Sequence, residues 1–228
     1  MIIALNNKSN LGKDEFISYL EELNNIKSND LLILCPTFLN IANFNSNNIL
    51  LGSQNVSSYD NGAYTGEVSA VQLKSYNVKY AIVGHSERRE YQKETNLEIK
   101  EKINKLLENS ITPILCIGES KEERDNNTYK SILEKELSIL NDIDSSNIII
   151  AYEPIWSIGT GVIPTKKEIE EVFNFIKEKY PNNKVLYGGS ANLNNIDMLK
   201  EISLIDGYLL GGLSLKPGEL QTFIDKLK

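Results

Sequence analysis

The 228-residue chain has little of what several large classes of protein need. It holds two cysteines and one histidine, too few for a disulfide framework or a histidine-rich metal cluster. Its net charge of −7 argues against a broad nucleic-acid or anionic-membrane face. No apolar run approaches the roughly 20 residues of a membrane-spanning helix. Both cysteines, Cys35 and Cys116, stand inside apolar runs, so we expect buried thiols in a reducing, cytoplasmic compartment.

The chain does contain a regular alternation of short apolar runs and longer amphipathic segments. The runs are nearly unbroken, which is typical of strands buried on both faces of a parallel sheet. They begin at Ile2, Leu31, Ile49, Tyr80, Pro113, Ile148, Val185 and Tyr208. Apolar residues three and four positions apart predict helices over 15–23, 96–107, 129–140, 167–179, 196–202 and 220–227. Thr165 and Pro217 are typical helix-start residues.

Eight strand-and-helix units can form an open doubly wound sheet or a closed barrel. An open sheet of this kind carries a glycine-rich dinucleotide loop after its first strand. Here that place reads Asn-Asn-Lys-Ser-Asn at 6–10. We therefore favour a closed α/β barrel, one domain over 1–228, because such barrels run undivided to this length. Barrels of this class place their chemistry at the carboxyl ends of the strands.

Chemically useful side chains stand at three of the predicted strand ends. Strand one ends at Asn6 and Lys8, an amide and a compact cation. Strand four ends at His85, at the start of a short predicted helix whose dipole would keep the imidazole neutral. Strand six ends at Glu153, and the segment 154–161 with its Trp and two Gly is typical of a lid that excludes water. Taken alone, Lys8 could be a solvated turn residue and His85 a structural histidine.

Glycine-rich turns follow the last two predicted strands. They read Tyr-Gly-Gly-Ser at 187–190 and Gly-Gly at 211–212, and Gly159 lies in the lid. Such turns expose backbone N–H groups, and barrels often bind phosphate after strands seven and eight. A cation, a neutral donor, a carboxylate base and a phosphate site suit proton abstraction next to a carbonyl. The predicted ligand is a small phosphorylated hydroxy-carbonyl compound, with no metal or cofactor motif beside it.

These motifs, in this order, resemble the triosephosphate isomerase family over nearly the whole chain. The segments that carry the resemblance are Asn-Asn-Lys at 6–8, Gly-Ala-Tyr-Thr-Gly-Glu at 62–67, Gly-His-Ser-Glu-Arg-Arg at 84–89, Cys-Ile-Gly-Glu at 116–119, Ala-Tyr-Glu-Pro-Ile-Trp-Ser-Ile-Gly-Thr-Gly at 151–161 and the two glycine pairs. The resemblance implies a (β/α)8 TIM barrel. It also implies cofactor-independent interconversion of dihydroxyacetone phosphate and D-glyceraldehyde 3-phosphate through an enediol(ate), in glycolysis, gluconeogenesis and the pentose phosphate pathway.

The resemblance implies a role for each site residue. Glu153 is the base that moves the proton, and His85 is the neutral electrophile. Lys8 stabilises negative charge, and Asn6 orients substrate oxygens. The residues implied to support the site or hold the phosphate are Glu87, which pairs with Lys8, Ser86 beside it, and the backbone groups of Gly159, Ser190, Gly211 and Gly212.

The resemblance also implies a homodimer. The 54–67 loop is expected to insert into a second subunit, where Thr65 supports the partner's residues 6–8. Two tyrosines on this long loop favour the contact, because a free loop would expose them to water.

The chain departs from the family at three places. Asn7 stands where the family usually has Trp, so we expect looser packing there. The interval from 38 to 49 is short, which predicts a stunted second helix. The lid ends in Val-Ile-Pro at 162–164, and the proline predicts a stiffer hinge.

Two other interpretations stay open. A different phosphosugar enzyme on the same barrel needs a further catalytic Asp or Lys at a strand end. A phosphosugar-binding protein without activity would have lost Glu153 or His85, and both are present.

Overall fold

The eight apolar runs form eight parallel strands that close into a barrel. The computed structural model describes residues 1–158 and 162–228, and its strands pair in chain order until β8 closes on β1. The strands β1 to β8 are Ile2–Asn6, Leu31–Cys35, Leu50–Ser53, Tyr80–Val83, Thr112–Ile117, Ile149–Tyr152, Val185–Tyr187 and Gly207–Leu210. Every predicted strand begins within one residue of its observed start, so the predicted α/β barrel is confirmed.

Helices lie between successive strands and cover the outside of the barrel. In the described ranges, α1 to α10 are Lys13–Leu23, Phe38–Ile41, Ala70–Ser75, Ser86–Tyr91, Asn96–Glu108, Lys121–Asp125, Tyr129–Leu137, Lys166–Lys179, Ile196–Leu199 and Pro217–Leu227. Short 3-10 helices span Ser138–Leu140, Ser145–Asn147, Ile155–Ser157 and Gly212–Leu215. None of the described helices is long and apolar enough to cross a membrane.

The predicted helix signals are largely confirmed. Thr165 caps α8 by accepting a hydrogen bond from the backbone of Glu168, and Pro217 opens α10. The second helix is indeed stunted, with four residues. Two predicted helix ends are wrong. The helix predicted over 129–140 changes to 3-10 geometry at Ser138. The helix predicted over 196–202 ends at Leu199, after which backbone hydrogen bonds join residues three apart instead of four apart.

The core has two layers, one on each face of the strands. Small and medium apolar side chains fill the barrel, namely Ala4, Ile33, Cys35, Ile82, Ile114, Cys116, Ile149, Ala151, Leu186 and Leu209. A larger layer packs the outer face against the helices. Both cysteines are free and buried, as expected. Burial raises the pKa of Cys35 to about 12, so this thiol remains protonated.

Candidate active site

A pocket of about 330 Å³ opens at the carboxyl ends of the strands. The structure brings most of the residues predicted from the sequence together on its wall, namely Asn6, Lys8, His85, Glu153, Ser190, Gly211 and Gly212. Thr65 does not line it; this residue is exposed on the 54–67 loop. Gly159 lies outside the described residues. A pocket of this size suits a small ligand.

Glu153 follows β6 and is only 3% exposed, so its carboxylate is buried. Its Oε1 lies 3.1 Å from Nε2 of His85. Its Oε2 accepts a hydrogen bond from the backbone N–H of Ser86 at 3.2 Å. Burial together with the charge of the same carboxylate raises the pKa of the Cys116 thiol. Glu153 is therefore a buried carboxylate with several donors around it.

His85 is the residue that caps helix α4. Its Nδ1 accepts a hydrogen bond from the backbone N–H of Glu87 at 3.2 Å. An accepting Nδ1 carries no proton, which assigns the ring proton to Nε2, the atom that faces Glu153 and the pocket. The imidazole is thus a neutral donor, in the tautomer that the predicted chemistry requires. Gly84 precedes it with φ +68, so the glycine serves this backbone turn more than ligand approach.

Lys8 reaches the pocket from a strained position two residues after the end of β1. Its φ of 52° lies in the left-handed region, and its backbone N–H donates to Oδ1 of Asn6 at 3.0 Å. Its Nζ donates to Oε1 of Glu87 at 2.5 Å, the pairing expected from the sequence. The ammonium group is thus held beside the histidine helix. One local hydrogen bond fixes the side-chain amide of Asn6 relative to the backbone of Lys8.

The glycine turns form the far wall of the pocket. An added methyl group at Gly212 would meet no atom within 4 Å, so the turn after β8 is open to a ligand. A second cation, Lys216, lines the same wall. The backbone N–H of Ser190 donates to the hydroxyl of Ser157 at 3.3 Å, so a phosphate bound there would replace this hydroxyl.

Trp156 lies at the start of the segment predicted as a lid. Its indole N–H donates to Oε1 of Glu119 at 3.1 Å, and the hydroxyl of Tyr152 donates to the same oxygen at 3.0 Å. Burial raises the pKa of Glu119. Beyond residue 161, Val162 and Ile163 are exposed whereas Pro164 is buried. The segment predicted as a lid therefore has a buried polar contact at its start and is followed by a buried proline.

Reasoning from the sequence missed several residues of this site. Cys116 and Ser157 were not singled out for contacts with Glu153 and Ser190, because a lone cysteine or serine carries no distinctive pattern. Looser packing at Asn7 stays a prediction. Asn7 is 1% exposed and donates hydrogen bonds from its side chain to Tyr19 and Ser214. Among the described residues, no group of three or more His, Cys, Asp or Glu side chains could hold a metal ion.

Comparison with known proteins agrees with this geometry. A family model described as Triosephosphate isomerase matches residues 1–227. A protein of that name from Mesomycoplasma hyorhinis is 42% identical over 92% of this chain and 90% of its own. Two others, from Mycoplasmopsis pulmonis and Bacteroides fragilis (strain YCH46), are each 38% identical, over 95% and 98% of this chain and 93% and 97% of theirs.

Proposed function

The chain belongs to the triosephosphate isomerase family, whose members interconvert triose phosphates, and from that premise we propose how its own residues carry out the reaction. Glu153 removes a proton from C1 of dihydroxyacetone phosphate, and the electron pair moves toward the C2 carbonyl. The product of this step is an enediolate with its charge on the C2 oxygen. His85 donates its Nε2 proton to that oxygen and takes up the proton of the C1 hydroxyl. The protonated Glu153 then returns its proton to C2, which leaves the aldehyde at C1.

One observation carries this assignment of roles. The carboxylate of Glu153 and the Nε2–H of His85 face each other across 3.1 Å at one wall of the pocket. A base and a neutral donor this close can serve two adjacent atoms of one ligand, a carbon and its neighbouring oxygen. Oε2 of Glu153 accepts a hydrogen bond in this arrangement and Oε1 lies 3.1 Å from Nε2 of His85, so substrate binding has to change at least one of these contacts before the base can act.

The rest of the pocket is proposed to hold charge. Lys8 lies beside the enediolate oxygens, and Asn6 orients them. The backbone groups of Gly159, Ser190, Gly211 and Gly212 bind the phosphate, with the lid excluding water. Glu87 and Ser86 support Lys8 and Glu153. Lys8, Asn6, Ser190, Gly211 and Gly212 are assigned from their place on the pocket wall, and Glu87 and Ser86 from their hydrogen bonds to Lys8 and Glu153. The role of Gly159 is proposed from the sequence alone.

An isomerase assay with each triose phosphate tests the roles. Glu153→Gln keeps the shape of the side chain but removes the base, and we expect kcat to fall by about a thousandfold. Glu219→Gln is the matched control, since Glu219 lines the same pocket without touching the proposed base. Full activity in Glu153→Gln would contradict the assignment. A wild-type protein that binds inorganic phosphate without turnover would instead favour the phosphosugar-binding alternative.

We also propose that the chain works as a homodimer through the 54–67 loop. Residues 60–67 are all exposed. Tyr59 and Tyr64 stack at 4.2 Å between ring centroids while remaining 50% and 44% exposed. A rigid, exposed aromatic pair supports burial against a second copy. Thr65 is proposed to reach the partner's residues 6–8 and thereby steady Lys8.

Sedimentation of two threonine variants tests the dimer. Thr65→Arg places a charge on the loop and is expected to yield monomers with reduced kcat. Thr222→Arg, at an exposed position on α10, is expected to remain dimeric. A monomeric wild-type protein with full activity would refute the proposed dimer.

We further propose that residues 1–228 are one catalytic domain working in the cytoplasm. The family reaction is a step of glycolysis. Its reverse direction is proposed to serve gluconeogenesis, and its products to connect with the pentose phosphate pathway.

A further inference from the structure

A buried polar cluster lies behind the pocket, between the end of β1 and the turn after β8. Its members, Asn7, Tyr19 and Ser214, are 1%, 6% and 0% exposed. The side-chain amide of Asn7 donates to Oη of Tyr19 and to Oγ of Ser214, both at 3.3 Å. Tyr19 donates its hydroxyl proton to the carbonyl of Ser214 at 2.6 Å, and Ser214 Oγ donates to the carbonyl of Asn6 at 3.0 Å.

The cluster is one hydrogen bond away from both charge-binding parts of the site. The backbone N–H of Ser214 donates to the carbonyl of Gly211 at 2.9 Å, which ties the cluster to the glycine turn. Asn6, which accepts from Ser214, also accepts the backbone N–H of Lys8. Lys8 and Gly211 lie against each other, because a methyl group added to Gly211 would stand 3.4 Å from Cε of Lys8.

We propose that Asn7, Tyr19 and Ser214 are positioning residues that set the distance between the Lys8 ammonium and the glycine turn at 211–212. The inference rests on the proposed function, since it assigns these two groups to the charged parts of one substrate. The cluster touches neither the substrate nor the reacting atoms. It acts through Asn6 and Gly211, whose carbonyls it holds.

The number of available protons determines which group donates in each hydrogen bond of the cluster. The hydroxyls of Tyr19 and Ser214 each donate their single proton to a backbone carbonyl, so each can only accept a hydrogen bond from Asn7. Position 7 must therefore supply two donors, which an amide does and a carboxylate does not. Burial raises the pKa of Tyr19 to about 12, so its hydroxyl keeps its proton at ordinary assay pH.

A purely packing role does not account for Asn7. Its Oδ1 is buried and has no hydrogen-bond partner among the described residues. A buried oxygen without a partner is destabilising, and an apolar side chain of similar size would avoid that penalty. An apolar side chain would lack the two N–H donors of the amide. These donors orient the hydroxyl of Ser214 toward the carbonyl of Asn6 and the hydroxyl of Tyr19 toward the carbonyl of Ser214.

Tyr19→Phe tests the proposal, with Tyr180→Phe as its matched control. Each substitution removes one hydroxyl that donates to a backbone carbonyl, and Tyr180 is not on the pocket wall. Tyr19→Phe is expected to raise both the KM for triose phosphate and the Kd for inorganic phosphate by about fivefold to tenfold. Tyr180→Phe is expected to lower Tm without moving KM or Kd.

Asn7→Asp supplies a second, independent variant. It keeps the size of the side chain but turns its donors into acceptors, so it should raise KM and the phosphate Kd in the same direction. If both variants lower Tm but, like Tyr180→Phe, do not change KM or Kd, the cluster contributes only to packing and the proposal is wrong. Phosphate binding is measured without turnover, so a wild-type protein that binds phosphate but does not isomerise would refute the proposed function and still test the cluster.

Discussion

Gly188 limits the space available to the side chain of the proposed base. It follows β7 and lies under the side chain of Glu153. A methyl group added here would stand 2.8 Å from Cγ of Glu153 and 3.2 Å from the carbonyl oxygen of Tyr152. Ordinary van der Waals contact begins at 3.4 Å, so the Glu153 side chain would have to retreat by about 0.6 Å in Gly188→Ala.

A retreat of this size matters because of how Glu153 is held. Its Oε2 accepts a hydrogen bond from Ser86 at 3.2 Å, near the outer limit of a good hydrogen bond, and its Oε1 lies 3.1 Å from Nε2 of His85. We expect at least one of these contacts to break. A misplacement of up to 1 Å at a reacting group lowers the rate by about 10- to 100-fold, and overpacking lowers the free energy of unfolding by about 1–3 kcal/mol.

The assay compares kcat, KM and urea unfolding in Gly188→Ala and Gly218→Ala. Gly218 is the control because a methyl group there would meet no atom within 4 Å. The control is expected to keep full activity and stability. Gly188→Ala is expected to lose kcat at nearly constant KM. Full kcat in a correctly folded Gly188→Ala protein would refute the claim that the rate depends on this placement of Glu153.

Three further predictions concern charge and the lid. Burial, opposed by the charge of Arg89, raises the pKa of Glu136 from 4.5 to about 7. Between these two pH values the folded state keeps a proton that the unfolded state has lost, so the free energy of unfolding falls as pH rises. Urea unfolding at about pH 5 and 8 should show that Glu136→Gln makes this fall smaller by roughly 2–3 kcal/mol. The same fall in the variant as in the wild type would contradict the prediction. Glu87→Gln removes the anion beside Lys8, and calorimetry should show phosphate binding about twofold to threefold tighter; weaker binding would mean that Glu87 chiefly orients the lysine. Pro164→Ala should speed hydrogen exchange in the predicted lid and alter turnover. If neither rate changes, the proline does not stiffen the hinge.

The barrel could be predicted because its signals are local and repeated. Unbroken apolar runs such as 31–35 and 148–152 have no explanation other than burial on both faces. The predicted helix ends at 140 and 202 were wrong for a related reason. The apolar spacing continues past Leu137 and Leu199, and hydrophobic periodicity does not distinguish an α-helical turn from the tighter turns that follow.

The site could be predicted only as far as its residues carry an unusual chemical group at a strand end. Lys8, His85 and Glu153 do so. The contacts that position them join segments far apart in the chain, as between Asn7 and Ser214 or between Ser157 and Ser190, and no sequence spacing reports such a contact. Asn7 shows the limit best. Comparison with the family suggested a lost Trp and looser packing, and the buried hydroxyl of Tyr19 supplies a partner that only the fold reveals.

The central claim is that the chain moves a proton between adjacent carbons through Glu153, and deuterium incorporation tests it most directly. The wild-type protein is incubated with dihydroxyacetone phosphate in D₂O, and the glyceraldehyde 3-phosphate formed is analysed for deuterium at C2. A proton carried by a carboxylate and an enediol exchanges with solvent, so the account predicts deuterium at that carbon. Product formed at full rate with no deuterium at C2 would mean direct hydrogen transfer and would contradict the account.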